Sequence, residues 1–545
     1  MVDGACFGNR ADGREKGMHD TPADLRQAAG TRRSRRCFVE SSIGLLMSLA
    51  VARRGRGAAA VPRFPADPFS LGVASGDPSA TGVVLWTRLA PTPLVPGGGL
   101  APETIPVAWE VAHDEGFSRI IASGSALALP QLAHSVHVEL EGLAPDRWYW
   151  YRFHCGGATS PKGRTRTLPA AGMSPAQARF AFASCQNHET GHYAAYRHMA
   201  ETEHDIVFHL GDYIYEMRSK GQGAVRPHGM PETVTLDDYR IRHALHRGDP
   251  LLQAAHAACP WMVTWDDHEL DNNYASDIPE TVDVDPVVFL SRRANAYQAY
   301  YEMMPLRRAC LPRGPDMRLY RDAAFGDLGA FYVLDTRQYR SAQPHGGHWH
   351  KITEECLAPE ATMLGRKQSG WLASRLIESP TRWNVLAQQV MLGMIDRTPG
   401  EESRYAMDQW PGYLAERRRL LEFMHERAIS NPVILTGDIH SSWVNDLRAD
   451  DREPELPVLA TEFVGTGISS PPNGLTDPDA IAELLADNPS LVWHGGGNGY
   501  ASCMIRPDRM ETTYFTVDDV ARADSPVSCA ARFTVENGRP GAIRA

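Results

Sequence analysis

The sequence predicts an α/β domain preceded by an all-β domain. Between residues 64 and 169, short runs with alternating apolar and polar residues are separated by Gly, Pro and Asp turns, which is typical of β-strands. Residues 170–175 are rich in Ala, Gly, Ser and Pro and indicate a linker. From 176 to 545, apolar strands alternate with segments of helical spacing, which favours a sheet covered by helices. A chain of 545 residues is long enough for both domains.

The all-β part is predicted to be a sandwich of the fibronectin or immunoglobulin type. Residues 82–87 and 136–140 alternate in polarity, and residues 148–153 form an aromatic-rich strand after a Pro-Asp turn. About one hundred residues of this kind are typical of two packed antiparallel sheets. We interpret the aromatic strand as part of the sandwich core rather than as a ligand-binding surface.

The α/β part has six clear strands and two clear helices before its C-terminal strands. The predicted strands cover 179–183, 205–210, 261–265, 331–334, 383–386 and 432–435. The predicted helices cover 191–203 and 249–258. Further β-like runs such as 531–535 are expected to complete a sheet layer near the C-terminus.

Four of these strands end in residues that can bind metal ions. The residues are Cys185; Asp212 and Tyr215; Asp266, Asp267 and Asn273; and Asp438 and His440. In open α/β sheets the ligand site lies beyond the carboxyl ends of the strands, so we expect the four groups to share one site. Helix capping explains a single Asp after a strand, but it does not explain four such groups together.

The types of side chain indicate two unlike metal ions. Thiolate, phenolate and imidazole suit a transition metal, whereas the carboxylates also suit Ca²⁺, Mg²⁺ or Mn²⁺. Cys185 has two other interpretations, a buried structural thiol or a nucleophile activated by His188. We favour the metal ligand because a nucleophile leaves the other three strand ends unexplained.

Several motifs resemble the PhoD-type alkaline phosphatases of the calcineurin-like metallophosphoesterase superfamily. They are SCQ at 184–186, GDYIYE at 211–216, WDDHELDNN at 265–273 and GDIHSSW at 437–443. The resemblance extends from about residue 69 to 541. It implies a four-layer α/β/β/α metallophosphatase fold and a hydrolase of phosphoric mono- or diesters.

The resemblance also assigns each predicted metal-binding residue to one of two metal ions. A ferric ion, Fe³⁺, is expected to be held by Cys185, Tyr215, His440 and a bridging Asp212. A second ion, Ca²⁺ or another divalent ion, is expected to share Asp212 and to bind Asp438, Asn273 and one of Asp266 or Asp267. The spacing leaves the choice between Asp266 and Asp267 open.

The expected reaction uses a hydroxide that bridges the two metal ions as the nucleophile. His268 is predicted to be the general acid that protonates the leaving alkoxide, with Glu269 or a neighbouring Asp orienting its ring. Arg337 follows a predicted strand and is either a substrate contact or a structural ion-pair partner. Pro411 stands where the family pattern more often has Asp, and we expect it to alter a loop that covers the substrate.

The first sixty residues differ from the rest of the chain in charge. They carry eleven basic and six acidic residues, although the whole chain has a net charge of −11. Residues 1–31 are predicted to be a disordered leader, and residues 32–60 to be a signal segment with arginines, a short apolar run and an Ala triplet. Ser34 to Val39 resembles a twin-arginine signal of the S-R-R-x-F-L type. We therefore expect export by the twin-arginine machinery to the periplasm or the medium; the alternative is a disordered basic tail.

The composition excludes some classes of partner. No apolar run is long enough to span a bilayer, and the acidic body has no basic surface stripe, so we expect neither a transmembrane segment nor a nucleic-acid-binding domain. We expect a monomer. Nine cysteines without a CxxC pair allow two disulfides, Cys310 with Cys356 and Cys503 with Cys529. Two alternative functions stay open: a phospholipase D-like phosphodiesterase acting on lipid diesters, and an inactive secreted binding protein.

Overall fold

A computed structural model describes residues 62–281, 283–398 and 402–545. The predicted leader and signal segment, residues 1–60, lie outside the described residues. No helix in the described part of the chain is long and apolar enough to cross a membrane.

The N-terminal part is all β, as the alternating pattern predicts. Its strands are β1 (Val73–Gly76), β2 (Val83–Arg88), β3 (Ile105–Ala112), β4 (Ile120–Ala128), β5 (Ser135–Leu140), β6 (Trp148–Cys155), β7 (Ala158–Thr159) and β8 (Gly163–Arg166). Strands β3, β4, β6, β7 and β8 form one sheet, and its buried side chains pack on those of β1, β2 and β5. The aromatic strand β6 supplies Tyr149, Tyr151 and Phe153 to this core.

The second part alternates strands and helices. Its strands are β9 (Ala178–Ala183), β10 (Ile206–Leu210), β11 (Trp261–Thr264), β12 (Arg321–Phe325), β13 (Gly329–Val333), β14 (Trp349–His350), β15 (Trp383–Ala387), β16 (Tyr405–Ala406), β17 (Pro432–Thr436), β18 (Ser442–Leu447), β19 (Ala460–Val464), β20 (Leu491–Gly495), β21 (Gly499–Ile505), β22 (Arg509–Val517), β23 (Val527–Glu536) and β24 (Arg539–Arg544). Its helices are α1 (Ala194–Glu201), α2 (Leu236–Arg247), α3 (Pro250–Ala258), α4 (Pro286–Met303), α5 (Gly365–Glu378), α6 (Leu414–Glu426) and α7 (Pro478–Asp487).

The helix starts have recognisable local causes. Helices α3, α4 and α7 each begin with an Asp whose side chain accepts a backbone N–H of the first turn, followed by Pro at the first helical position. Helix α2 begins with a capping box in which Thr235 and Asp238 exchange hydrogen bonds.

The expected four-layer α/β/β/α arrangement is confirmed. The sheet order is β24-β23-β22-β21-β9-β10-β11-β1-β2-β5 in one layer and β12-β13-β15-β17-β19-β18-β20 in the other. The two sheets pack face to face; the rings of Phe208 and Phe331, for example, lie 5.0 Å apart. Helices α1 to α4 cover the outer face of the first sheet, and α5 and α6 cover the outer face of the second.

The boundary between the two parts differs from the expected separate sandwich. Strand β1 pairs in parallel with β11 at Gly76 and Trp261, so β1, β2 and β5 extend the large sheet of the catalytic part. There is little room at this junction, because a Cβ atom at Gly76 would lie 2.7 Å from the Trp261 carbonyl oxygen. The all-β region therefore shares a sheet with the α/β region.

The two disulfides allowed by the sequence are absent, since all four cysteines are free. Cys503 lies on β21 and Cys529 on β23, with β22 between them. Strands two places apart in a sheet are separated by about 10 Å, which is too far for a disulfide. Cys310 and Cys356 belong to different hydrophobic clusters.

Candidate metal centre

The predicted metal ligands come together at the carboxyl ends of β9, β10, β11 and β17. Three groups of side chains have possible ligand atoms within 4.8 Å of one another. They are Cys185, Asp212 and His440; Asp212, Asp267 and His268; and Asp266, Asp267 and Asp438. Because the two sheets face each other, β17 of one sheet brings its residues to the ends of three strands of the other.

Five of the predicted ligands have left-handed backbone conformations. The φ angles of Cys185, Asp212, Asn273, Asp438 and His440 lie between 51° and 64°. Such conformations cost about 1–3 kcal/mol each in residues other than Gly and are concentrated at functional sites. The sharp turns direct the side chains back over the strand ends.

Tyr215 is central to the first group. Its hydroxyl donates to Asp212 Oδ2 at 3.0 Å and lies 3.2 Å from His440 Nε2 and 2.6 Å from Ser470 Oγ. His440 Nδ1 lies 3.2 Å from the carbonyl oxygen of Pro471, to which only an N–H can donate. The neutral His440 ring therefore carries its proton on Nδ1 and leaves the lone pair of Nε2 for a metal ion.

The Cys185 thiol completes this group in a buried position. Its Sγ lies 3.2 Å from Ser184 Oγ, and the side chain is fully buried. Burial, together with the nearby Asp212 carboxylate, raises the pKa of the thiol well above its usual value. A bound cation would favour the thiolate, which is the form that binds metals.

Three carboxylates of the second and third groups each have one oxygen without a hydrogen bond. Asp212 Oδ1, Asp266 Oδ2 and Asp267 Oδ1 are buried and have no hydrogen-bond partner. The other oxygens are occupied: Asp266 Oδ1 accepts from Arg337, and Asp267 Oδ2 accepts the Asn273 N–H at 2.7 Å. Buried carboxylate oxygens without partners are costly, and a cation would satisfy them.

The charge balance of the site also favours a cation. Burial raises the pKa of Asp212 and Asp266 well above the usual range and that of Asp438 to about 7. Burial lowers the pKa of His440 to about 4, so this ring is neutral. The residues present therefore fit metal ions, which would neutralise the carboxylates and bind the imidazole.

Arg337 does not lie where a substrate contact would need it. Its side chain is fully buried, and its guanidinium donates to Asp266, to Asp408 at 3.1 Å and to Asp438 at 3.3 Å. It also forms an ion pair with Asp267 Oδ1 at 3.4 Å. This geometry supports the structural alternative, in which Arg337 holds the candidate ligand carboxylates in place.

His268 is oriented by a different residue from the ones expected. Its Nδ1 lies 2.8 Å from Glu216 Oε2, and its ring lies over that of Tyr215 with the centroids 4.3 Å apart. Glu269 instead accepts the backbone N–H groups of Asp212 at 3.0 Å and Asp266 at 2.8 Å. Glu269 therefore joins the turns after β10 and β11. The His268 ring is oriented by Glu216 and not by Glu269.

Comparison with known proteins places this geometry in a family. The PhoD-like phosphatase model matches residues 180–514, and the model of the PhoD-like phosphatase N-terminal domain matches residues 56–169. The chain belongs to the PhoD-like phosphatase family.

One sequence relative and one solved structure are similar to this chain over most of their length. Alkaline phosphatase D of Bacillus subtilis strain 168 is 46% identical over 486 residues, which cover 88% of this chain and 83% of the relative. A solved structure of PhoD superposes with a TM-score of 0.86 at 46% identity and covers 89% of this chain and 93% of that one. This PhoD-like chain is therefore a metal-dependent phosphoesterase of the expected fold.

The structure adds residues to the PhoD-like site that the sequence analysis missed. Glu216 directly follows Tyr215 in the GDYIYE motif, so its place in that motif was an available signal. Ser470 contacts the Tyr215 hydroxyl, and Gln409 Nε2 donates to Asp438 Oδ2 at 2.6 Å. Ser470 and Gln409 come from loops without a metal-ligand pattern, so only the folded arrangement reveals them.

Proposed function

We propose that this PhoD-like phosphatase is an exported hydrolase of phosphoric mono- and diesters that uses a ferric ion and a calcium-type divalent ion. The observation that carries the proposal is the set of three buried carboxylate oxygens without hydrogen-bond partners, next to a thiol, a phenol and an imidazole nitrogen. Export to the periplasm or the medium is supported by the twin-arginine pattern near residue 35.

Each ion is assigned a set of ligands. Cys185, Asp212, Tyr215 and His440 would hold the ferric ion, because thiolate and phenolate stabilise the ferric state. Asp212, Asp267, Asn273 and Asp438 would hold the divalent ion. We choose Asp267 over Asp266 because Asp267 belongs to two of the three groups of neighbouring ligand atoms and Asp266 to only one. Both carboxylates pair with Arg337, but Asp267 lies at the longer distance, 3.4 Å, whereas Asp266 accepts a hydrogen bond from Nε.

The metal ions, when bound, would supply Lewis acidity for the phosphoryl oxygens and a deprotonated water as nucleophile near neutral pH. His268 is the proposed general acid. Burial alone would lower its pKa, but the carboxylates of Glu216, Asp212 and Asp267 raise it well above its usual value. Glu216, which is not a candidate metal ligand, is the largest of the charges that raise this pKa, and it favours a ring that keeps a proton for the leaving oxygen when the phosphorus–oxygen ester bond breaks. Glu216 fixes Nδ1 and leaves Nε2 to deliver the proton.

The test is an assay of the purified mature chain on nitrophenyl phosphate mono- and diesters at alkaline pH. We expect hydrolysis in the presence of Ca²⁺ and its loss after chelation. Elemental analysis of the same sample is expected to show iron, and a preparation that is active without iron would contradict the assignment of Cys185 and Tyr215. A chain that binds both metals but hydrolyses neither ester would favour the alternative of a binding protein.

A further inference from the structure

An exposed strand edge lies in the N-terminal all-β part of the chain. Strand β4 is the last strand on one side of its sheet, next to β3, and no other strand of the described residues pairs with its free side. Along such an edge, every second residue directs its backbone N–H and C=O groups away from the sheet. These groups can pair with a strand of another chain, so edge strands usually carry protection against such pairing.

Strand β4 carries little of this protection. Its nine residues, IIASGSALA, include no charged residue and no proline, although Lys and Pro are common on natural edge strands. The pairing with β3 is regular from Ala122 to Ala128 and shifts in register only at the start of the strand. Ile121 and Leu127 are apolar, yet they are 39% and 54% exposed. The free edge of β4 is therefore suited to pairing with a further strand.

The sequence of β4 is nearly the same when it is read in either direction from Gly124. Residues 121–127 are Ile-Ala-Ser-Gly-Ser-Ala-Leu, a palindrome apart from the exchange of Ile for Leu. In an antiparallel pair of two copies centred on Gly124, Ile121 of one copy faces Leu127 of the other, and Ser123 faces Ser125. Each position thus meets a side chain of its own kind, apolar on apolar and hydroxyl on hydroxyl.

We propose that β4 pairs with β4 of a second copy of this chain, antiparallel and in register about Gly124, to form a homodimer. The palindrome favours a second copy over a different protein, because the same strand supplies the matching side chain at every position. Antiparallel pairing of identical strands has two-fold symmetry, which is the commonest symmetry of protein dimers. The proposal departs from the monomer expected from the sequence. It concerns a surface without candidate metal ligands and does not depend on the proposed function.

Sedimentation velocity of the purified mature chain tests the proposal. Seven residues from each copy form an interface smaller than the standard size, so we expect a reversible dimer with a Kd on the order of 10 μM. Replacing Ile121→Lys and Leu127→Lys together is expected to raise this Kd about tenfold or more. The reason is that the two substitutions place like charges opposite each other at both ends of the paired strands.

The matched control combines Ile121→Lys with Leu127→Glu. It removes the same two apolar side chains and also adds two charges, but the Lys of one copy then faces the Glu of the other. Its Kd is expected to be about fivefold or more below that of the variant with two Lys residues. Positions 121 and 127 lie about 20 Å apart along one strand, so neither variant pairs its new charges within one chain. Circular dichroism of both variants checks that the monomers are folded.

Several results would overturn the inference. A wild-type chain that stays monomeric up to about 300 μM would show that the edge does not bind a second copy. A dimer as tight in the variant with two Lys residues as in the wild type would place the contact on another surface. Equal Kd values for the two variants would exclude pairing centred on Gly124. A monomeric mature chain that binds a synthetic peptide of residues 1–60 would assign the edge to the leader instead.

Discussion

Several residues at the candidate metal centre have left-handed backbone conformations, which are unfavourable for residues other than Gly. Asp and Asn tolerate the left-handed region better than most residues, but Cys185 and His440 adopt it as well. Gly211 precedes Asp212 with φ of 113°, a conformation that only Gly adopts readily. The turn that points Asp212 at the site therefore depends on the absence of a side chain at position 211.

Gly211→Ala is expected to lower the free energy of unfolding by about 3 kcal/mol, because it combines backbone strain with a steric clash. A Cβ atom there would lie 2.6 Å from the Asp266 backbone nitrogen. The matched control is Gly142→Ala, which also has a positive φ, 81°, but no atom within 4 Å of the added Cβ. The control should lose only about 1 kcal/mol in urea denaturation. Equal losses for the two variants would contradict the argument from packing.

His268→Ala is expected to reduce kcat on alkyl phosphate esters by about 10²-fold to 10⁴-fold, because an alkoxide needs a proton in order to leave. The loss on 4-nitrophenyl esters should be much smaller, since nitrophenolate leaves without protonation. Glu216→Gln should give the same pattern with smaller losses, because it weakens the orientation of the ring at Nδ1. Similar losses on both kinds of ester would rule out the role of general acid.

At the scale of the elements, the strands and their polar ends could be predicted from the sequence. Short apolar runs that end in Gly-Asp have a local signal, and the order of strands and helices follows from their spacing. The residues and strands that contact these strand ends from distant parts of the chain could not be predicted in this way. Arg337 meets Asp266 because β13 and β11 lie in facing sheets, and the pairing of β1 with β11 joins distant parts of the chain. Such long-range contacts leave no periodic trace in the sequence.

Helix α2 holds the loop that carries Tyr215. The buried Arg242 guanidinium donates to the carbonyl oxygens of Tyr215, Met217 and Pro231, the last two at 3.0 Å and 2.8 Å. Lys has a single amino group and cannot replace this fork of donors. The position of Tyr215 therefore depends on a helix that contributes no candidate metal ligand itself.

Arg242→Lys is expected to lower the iron content of the purified protein and to make residues 217–231 more sensitive to proteases. Arg240→Lys is the control on the same helix, because Arg240 pairs with Glu302 on α4 and does not contact the loop. The control is expected to retain its iron even if it loses some stability. An iron content that falls equally in both variants would show that the effect is not specific to the loop.

At the scale of the whole molecule, the candidate metal centre connects the two sheets. Its candidate ligands follow β9, β10 and β11 in one sheet and β17 in the other. Chelation is therefore expected to abolish activity and also to lower the Tm by several degrees, because an ion present at 100 times its Kd adds about 2.7 kcal/mol to stability. The same chelator saturated beforehand with Ca²⁺ is the control. A Tm that chelation does not change would contradict a metal site between the sheets.

The proposed export depends on the leader of the chain and is tested in cells. Replacing Arg35 and Arg36 together by Lys is expected to retain the protein in the cytoplasm, because a twin-arginine signal depends on both arginines. Replacing Arg53 and Arg54 by Lys is the control, since this pair lies after the apolar run. Cell fractionation and immunoblotting measure the outcome. Normal export of the Arg35 and Arg36 variant would leave the twin-arginine route without support.

The sheet that the two parts share also sets an order of events during synthesis. Strand β1 leaves the ribosome early, but its parallel neighbour β11 begins at Trp261, 185 positions after Gly76. At about 5–20 residues per second, β1 waits about 10–40 s for this partner. Strands β2 and β5 are already made by then and pair with each other and with β1. The nascent chain thus presents an unfinished strand edge for tens of seconds, and it needs protection from other chains until β11 arrives.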